Sequence, residues 1–320
     1  MDYRETAEMI FSKHPTRFKK SEKQPFISDI KGVFRDLGYS EGEIRVLHHK
    51  GGIKSSNILV GKPDAKYIFT AHYDTPGRTG FMLGSSKYVG QTLANLVLML
   101  IFFIPMFGVG VLLGMDIALA ALGEEVGNFL SSFGSLIAVF LVLALISIPM
   151  AVKNKNNRND NTSGVLSLIS LARKISANPA LRSNCAFIFF DNEEWGLIGS
   201  AQYVKWAKGN NYNINNSAII NIDCVGVGEQ LVLAQTKKTE ITKLLKEGLT
   251  SRGTPVKEKV SMMVYMSDHA NFKNSVMLCY MDKSSLGPLY IPNIHTKKDT
   301  ECDLEKIERL TDNLLAVIVN

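Results

Sequence analysis

The chain has little cysteine and no apolar leader, and both features limit what it can be. Four cysteines in 320 residues are too few and too widely spaced for a disulfide framework or a structural zinc site. We therefore expect reduced thiols in a cytosolic environment. The opening segment MDYRETAEMIF is charged and amphipathic, so no signal peptide is expected.

Charge is absent from two long stretches, Tyr88 to Met115 and Val126 to Val152. Each could cross a bilayer, which takes about 20 apolar residues in a helix. Two such stretches in succession are rare in soluble domains. They predict a transmembrane hairpin over residues 88–152, with spans at about 91–115 and 128–151. The alternative is a lid or an oligomer contact in a soluble protein.

Basic residues flank the predicted hairpin, whereas its connecting loop carries only acidic charge. Lys153, Lys155 and Arg158 follow it, and Asp116 and Glu124 lie in the loop. The positive-inside rule then predicts a cell-membrane protein with two spans, whose catalytic domain and both termini face the cytoplasm. The net charge of +6 is scattered along the chain, which favours contact with an anionic membrane over nucleic acid.

Apolar runs alternate with helical patterns outside the hairpin, which predicts one discontinuous α/β domain from residues 1–80 and 153–320. The clearest strands, 185–190 and 218–222, both end abruptly in acidic residues. Other predicted strands are 44–48, 56–60, 67–71, one near residue 231, and 276–280. Predicted helices include two within residues 1–40, one after residue 160, and others at about 239–249 and 303–319.

Polar residues at strand ends are the candidates for chemistry. Glu193 and Glu194 follow strand 185–190 at the edge where open α/β sheets bind ligands. On an irregular loop one carboxylate can hold a metal while the other handles a proton. His72 and Asp74 follow strand 67–71, and this spacing lets the carboxylate orient a metal-binding imidazole. Each pattern by itself also fits an ordinary polar turn.

Three further candidates complete a possible metal site: Asp160, Asp223 and His295. With His72 and Glu194 they offer two histidines and three carboxylates, a set that zinc prefers and that manganese or cobalt also accepts. Five ligands are more than one catalytic zinc normally takes. They suit two ions bridged by one carboxylate and one water.

Six segments in order resemble the motifs of the co-catalytic zinc aminopeptidase superfamily, which includes glutamate carboxypeptidase and the glutaminyl cyclases: TAHYDT, NDNTSG, NEEWGLIGS, NIDCVG, SDHANF and IHTKKDT. The resemblance covers residues 55 to 300. It implies a three-layer phosphorylase/hydrolase-like fold with a mixed, mostly parallel sheet flanked by helices. The chain departs from the soluble relatives in the long insertion between the first two motifs.

The resemblance also implies a role for each candidate: one zinc bound by His72 and Asp223, a second by Glu194 and His295, and a bridge from Asp160. Asp74 would orient His72, Glu193 would be the general base, and the peptide bond after Asp160 would be cis. The implied function is a membrane-anchored di-zinc exopeptidase acting on peptides, with an aminopeptidase expected first. A carboxypeptidase, a one-zinc glutaminyl cyclase and a non-catalytic scaffold remain alternatives.

Other residues near the motifs are weaker candidates for a functional role. Asp268 and His269 are expected near the substrate pocket. Tyr280 or Tyr290 could donate to an oxyanion, although each more simply packs. Cys224 is expected to be a buried thiol and Trp195 to pack beside the site.

Overall fold

The computed structural model describes residues 1–49, 53–77, 87, 108, 110, 152–260 and 266–319. Within these ranges the chain forms one mixed sheet of nine strands with helices on both faces. No helix in this part of the chain combines the length and apolarity that a membrane span needs. The hairpin predicted over residues 88–152 lies outside the described residues, apart from isolated positions.

The helices of the described chain are α1 (Tyr3–Lys13), α2 (Lys20–Asp36), α3 (Gly164–Ser176), α4 (Pro179–Asn184), α5 (Ile198–Gly209), α6 (Glu240–Ser251) and α7 (Leu304–Val319). The strands are β1 (Ile44–His49), β2 (Ser55–Val60), β3 (Tyr67–His72), β4 (Cys185–Phe190), β5 (Ala218–Ile222), β6 (Gln230–Gln235), β7 (Val256–Val260), β8 (Ser275–Lys283) and β9 (Leu289–Tyr290).

The strands lie in the order β1-β2-β4-β3-β5-β8-β6-β7, and β9 pairs with β8. The four central strands, β4, β3, β5 and β8, are parallel to one another. The pairings of β1 with β2, β2 with β4, β6 with β8, and β8 with β9 are antiparallel. The α/β fold and its mixed sheet are therefore confirmed, but the expectation of a mostly parallel sheet holds only for its centre and for β6 with β7.

The described residues form three buried apolar clusters, and the two that include β4 follow from the alternation of side chains along that strand. In β4, Phe187 and Phe189 join the core beneath α1, α2, α3, α6 and α7. Ala186, Ile188 and Phe190 join the opposite core beneath α5. The burial of every residue of β4 explains why this strand reads as a continuous apolar run.

Helix α2 illustrates how local sequence sets an element. Phe26, Ile30, Val33 and Phe34 recur at helical spacing and are buried against the sheet. Gly38 then takes a positive φ of 82°. Its N–H donates to the carbonyl of Arg35, which closes the helix with a left-handed cap.

Gly77 lies beyond the end of β3, and it forms an isolated antiparallel bridge with Lys153. Beside it the N–H of Asn154 donates to the carbonyl of Pro76 over 3.0 Å. We call this pairing of residues 76–77 with 153–154 the neck. Because of the neck, the intervening residues begin and end at one place on the domain.

Candidate metal centre

Strand register brings the predicted site residues to one edge of the sheet. His72 is the last residue of β3 and pairs in register with Phe190 at the end of β4. The loop after β4 carries Glu193 and Glu194, and Asp223 directly follows β5, the other neighbour of β3. Parallel strands end at a common edge, so residues far apart in the chain meet there.

Asp160 lies between the two histidines. Its Oδ1 is 3.3 Å from His72 Nε2, and its Oδ2 is 2.9 Å from His295 Nε2. Asp223 Oδ1 lies 3.7 Å from His72 Nε2, and Glu194 Oε2 lies 3.3 Å from His295 Nε2. In the described chain, two groups of potential ligands therefore lie on either side of the Asp160 carboxylate. One group is His72 with Asp223, and the other is His295 with Glu194.

Three sets of potential ligand atoms lie within 4.8 Å of one another. One contains His72, Asp160 and Asp223, and another contains Asp160, Glu194 and His295. The third combines His72 with Glu193 and Glu194. The first two sets contain the residues that the family resemblance implies as ligands of one ion each.

The chemistry of these groups fits divalent cations. Among the described residues, Glu194 Oε1 and Asp223 Oδ1 are buried and accept no hydrogen bond. Leaving such oxygens unsatisfied costs free energy, and coordination to a cation removes that cost. Nitrogen and carboxylate oxygen ligands together are the set that zinc accepts.

Asp74 contacts both His72 and the loop after β4 that carries Glu193 and Glu194, which we call the glutamate loop. His72 Nδ1 lies 3.2 Å from the carbonyl oxygen of Asp74 and 3.5 Å from its carboxylate. The same carboxylate accepts the backbone N–H groups of Glu193 at 3.0 Å and Glu194 at 3.3 Å. Asp74 therefore fixes the glutamate loop as well as facing the imidazole.

A buried network fixes the backbone at Asp160. The carboxylate of Asp299 accepts the N–H groups of Asn159 at 2.8 Å and Asp160 at 3.0 Å. The peptide bond from Asp160 to Asn161 is cis, as expected. Burial raises the pKa of Asp299 to about 7. Sequence analysis did not assign this residue, although it belongs to the IHTKKDT segment.

Asp223 is oriented by a chain of hydrogen bonds through the sheet. Thr70 Oγ1 donates to Asn221 Oδ1 over 2.8 Å, and Asn221 Nδ2 donates to Ser267 Oγ over 2.9 Å. Ser267 Oγ in turn donates to Asp223 Oδ2 over 2.7 Å. This leaves Asp223 Oδ1, the oxygen nearer His72, free for another partner.

Glu193 borders the ligand set. Its Oε2 lies 4.0 Å from His72 Nε2, and its side chain is about nine-tenths buried. Burial raises the pKa of Glu193 well above its usual value, and the nearby charges of Glu194 and Asp268 raise it further, against the opposing effect of His72. A carboxyl group held in this way can accept a proton near neutral pH.

The weaker candidates are outside the metal-ligand sets. Asp268 and His269 are fully buried in the short turn Asp268–Asn271, and Ser267 of the same segment contacts Asp223. Tyr280 is half-buried with Lys306 over its ring, so it packs. Tyr290 is buried in β9. Cys224 is a buried free thiol, as expected.

Two buried cations from the N-terminal segment contact the loops that carry the candidate ligands, and sequence analysis did not identify them. Arg17 donates to the carbonyl of Tyr73 and to Thr162 Oγ1. Lys23 Nζ donates to the side chains of Asp191 and Asn192, directly before Glu193. These contacts span more than 50 residues along the chain and leave no local pattern to read.

Comparison with known proteins identified a sequence family that matches this chain and solved structures that share its fold. The sequence profile of peptidase family M28 matches residues 151–318, just over half of the chain. A 104-residue segment is 29% identical to the vacuolar membrane protease of Candida glabrata. That segment covers 32% of this chain but spans only 10% of the length of that relative.

Solved structures with a similar fold include an aminopeptidase and a cyclase. The LapA aminopeptidase of Legionella pneumophila has a TM-score of 0.61 and 16% identity, covering 99% of this chain and 68% of that one. The glutaminyl cyclase of Porphyromonas gingivalis has a TM-score of 0.62 and 12% identity, covering 99% and 98%. At these identities the likeness shows the fold.

Proposed function

Because this chain belongs to peptidase family M28, we propose that it is a zinc-dependent exopeptidase that removes amino-terminal residues from peptides. The observation that carries the proposal is the position of Asp160, whose two oxygens lie 3.3 Å from His72 and 2.9 Å from His295. Two ligand groups that share one carboxylate suit a pair of ions.

In the proposed site His72 and Asp223 would hold one zinc, Glu194 and His295 would hold the other, and Asp160 would contact both. When bound, two such ions lower the pKa of a water molecule and polarise the scissile carbonyl. Mn²⁺ or Co²⁺ could substitute, since both accept the same ligand types.

Glu193 acts as the general base in this proposal. Its carboxylate takes the proton of the attacking water at Oε2 and delivers it to the nitrogen of the leaving amine. Two features support the role: the raised pKa of Glu193, and the hydrogen bond from its N–H to Asp74, which fixes the loop. Asp74 is thereby a positioning residue for both His72 and Glu193.

The test is mass spectrometry of a mixed peptide pool after incubation with the full-length protein and zinc. Each peptide is supplied with a free and with an acetylated amino terminus. We expect residues to be lost from the amino end of the free peptides only. Trimming of both sets from the carboxyl end would assign a carboxypeptidase instead, and loss of ammonia from amino-terminal glutamine would assign a cyclase.

Two variants separate metal binding from proton transfer. Glu193→Gln keeps the shape of the side chain but cannot accept the proton, so we expect a loss of at least about 100-fold in kcat with zinc still bound. Asp160→Asn removes the shared carboxylate and should lower the bound zinc itself, measured by elemental analysis. Full turnover by Glu193→Gln would overturn the assignment of the base, and no cleavage by the wild type would favour a scaffold.

We further propose that residues 88–152 anchor the enzyme to the membrane as a two-helix hairpin, with the catalytic domain on the cytoplasmic side. The uncharged stretches and their basic flanks support this proposal. So does the neck, because a hairpin that returns to its starting side needs its two ends close together. The name of the Candida glabrata relative, a membrane protease, agrees with such a location.

A further inference from the structure

A cavity of about 880 Å³ lies beside the glutamate loop. It is bounded by the segment leading into α2, the facing ends of β1 and β2, and the loop after β4. A volume of this size is in the range of ligand pockets in proteins. The proposed mechanism assigns no role to it.

The cavity and the candidate metal centre share one loop. Asn192 and Trp195 both line the cavity, and Glu193 and Glu194 lie directly between them in the chain. Tyr73, which also lines the cavity, separates His72 from Asp74. The cavity and the candidate metal centre are therefore bordered by neighbouring residues of the same two segments.

The lining of the cavity carries excess positive charge. Its described residues include three lysines and two histidines, against Asp191 as the one carboxylate. Asp191 is already neutralised, because Lys23 Nζ lies 2.5 Å from its Oδ1 and the N–H of Ser56 donates to its Oδ2. Asp191 therefore does not offset the positive charges of Lys20 and Lys54, the other two lysines of the lining.

Glu22, the acidic residue closest in sequence to Lys20, already has other partners. It accepts hydrogen bonds from Lys153 and from the N–H groups of Phe18 and Lys19. Within the described ranges, neither Lys20 nor Lys54 forms an ion pair. Two cations thus face the cavity without a carboxylate of the described chain to compensate them.

Part of the cavity wall is apolar, and it includes Phe18 and the exposed ring of Trp195. The rings of Phe18 and Trp195 lie 6.2 Å apart, and Trp195 is 49% exposed. An exposed tryptophan in a concave site is typical of surfaces that bind a peptide chain. A ligand with both an aliphatic part and an anionic group matches such a wall.

We propose that this cavity is a substrate subsite that binds a carboxylate carried by the peptide beyond its cleaved bond. Lys20 and Lys54 attract the carboxylate, and Phe18 and Trp195 contact the neighbouring part of the peptide. The enzyme therefore prefers acidic or short peptides, in which a side-chain or terminal carboxylate reaches the cavity. This inference rests on the proposed peptidase function.

Three peptides distinguish the two sources of a carboxylate: Leu-Ala-Glu amide, Leu-Ala-Gln amide and Leu-Ala-Gln with a free carboxyl terminus. For the wild type with zinc, we expect kcat/KM to be about three- to tenfold higher for a peptide with a carboxylate than for Leu-Ala-Gln amide, mainly through KM. The gain with Leu-Ala-Glu amide measures recognition of the side chain. The gain with the free terminus measures recognition of the end of the peptide.

The Lys20→Gln/Lys54→Gln double variant should lose this preference. Lys205→Gln/Lys208→Gln is the matched control, because it removes the same two charges and both lysines are exposed on α5 and do not line the cavity. Equal kcat/KM for all three peptides in the wild type would overturn the subsite. An equal loss of preference in Lys205→Gln/Lys208→Gln would overturn it too, because the effect would then come from overall charge.

A binding measurement separates this inference from the proposed function. Trp195 and Trp206 are the two tryptophans of the chain, so Trp206→Phe leaves Trp195 as the sole fluorescent reporter. In a Glu193→Gln/Trp206→Phe background, we expect the carboxylate peptides to change its emission at lower concentration than Leu-Ala-Gln amide. Cleavage by the wild type without this binding preference would contradict the subsite alone. Preferential binding without cleavage by the wild type would contradict the peptidase function alone.

Discussion

Arg17 is a buried cation that connects three segments of the α/β domain. It is 1% exposed, and its guanidinium donates to the carbonyls of Tyr73 and His14 and to Thr162 Oγ1. Its own N–H donates to Thr75 Oγ1 over 3.0 Å. Tyr73 adjoins His72 and Thr162 follows Asp160 by two residues, so Arg17 sets the spacing of two ligand-bearing loops.

Replacing Arg17 with methionine should therefore destabilise the fold. The variant keeps an apolar stem but leaves two buried carbonyls without donors, so we expect the free energy of unfolding to fall by about 2–4 kcal/mol. Denaturant unfolding measures the change. Arg4→Met is the control, because Arg4 is exposed and forms only a surface ion pair with Glu305, worth at most about 1 kcal/mol. Equal losses in both variants would contradict the role of Arg17.

At the residue scale, the sequence indicates the candidate ligands better than the residues that hold them in place. His72 ends a buried strand, and Glu194 and Asp223 follow buried strands. A buried strand that ends at or before a polar residue can be recognised locally. Arg17 and Lys23 act across 56 and 168 residues of separation. Such contacts depend on tertiary packing, and a single sequence contains no periodicity that reports them.

At the scale of elements, helix α5 meets the glutamate loop through a glycine. A Cβ atom on Gly199 would lie 2.1 Å from the carbonyl oxygen of Asp191 and 2.7 Å from Asn57 Oδ1. The start of α5 can thus approach the end of β4 only where there is no side chain. The close approach fixes the loop that carries Glu193.

Gly199→Ala should displace this loop, whereas Gly209→Ala at the other end of α5 should not. A Cβ atom on Gly209 would have no atom of the described chain within 4 Å beyond its immediate surroundings in α5, and alanine there is expected to be neutral or to stabilise by up to about 1 kcal/mol. For Gly199→Ala we expect a loss of about 2–3 kcal/mol in unfolding free energy together with reduced kcat. Thermal unfolding and peptide cleavage, measured on both variants, check the contrast. A stable and active Gly199→Ala would refute it.

The start of α2 is held to the neck by a pH-sensitive contact. Burial would raise the pKa of Glu22, but the hydrogen bonds from Lys153 and from two backbone N–H groups outweigh this effect and lower it to about 2. The folded pKa lies below the unfolded value of about 4.3. The stabilisation is therefore complete above about pH 4.3 and is lost as the pH falls toward 2.

We expect Glu22→Gln to be less stable than the wild type by about 1 kcal/mol at pH 7. The difference should shrink between pH 4.3 and pH 3, because protonation removes the same charge from the wild type. Denaturant midpoints across this range measure it, with exposed Glu8→Gln as the control. A difference that stayed constant down to pH 3 would show that the charge of Glu22 is not responsible.

Most elements could be predicted because their burial patterns are strong. Strands β4 and β5 have the predicted bounds, since all their residues are buried. Strand β7, with the sequence VKEKV, was not predicted because it is an edge strand with mostly exposed, charged residues. The antiparallel pairing of β6 with β8 was also not predicted, because strand direction depends on connections that no local pattern records.

At the scale of the whole molecule, the proposed anchor should be separable from the catalytic domain. Replacing residues 79–151 with a short glycine-serine linker should leave the sheet and the metal centre intact, because residues 77 and 153 already lie side by side. We expect the full chain to sediment with membranes after lysis and the shortened chain to remain in the supernatant.

Both forms should cleave a small water-soluble peptide with kcat/KM within about threefold of each other, since the five candidate ligands among the described residues lie outside the replaced segment. Circular dichroism serves as the control for folding of the shortened chain. If the full chain also stayed in the supernatant, the anchoring proposal would fail. If the shortened chain folded but lost zinc, the segment would be part of the site instead.

The neck also has an evolutionary consequence. Doubling the length of a loop whose ends are already held together costs only about 0.6 kcal/mol in closure entropy. Mutation could therefore lengthen, shorten or exchange the segment between Gly77 and Lys153 as a cassette, with little effect on the ligands on either side. Descendants of one peptidase domain could then diverge in where they work while keeping the same chemistry.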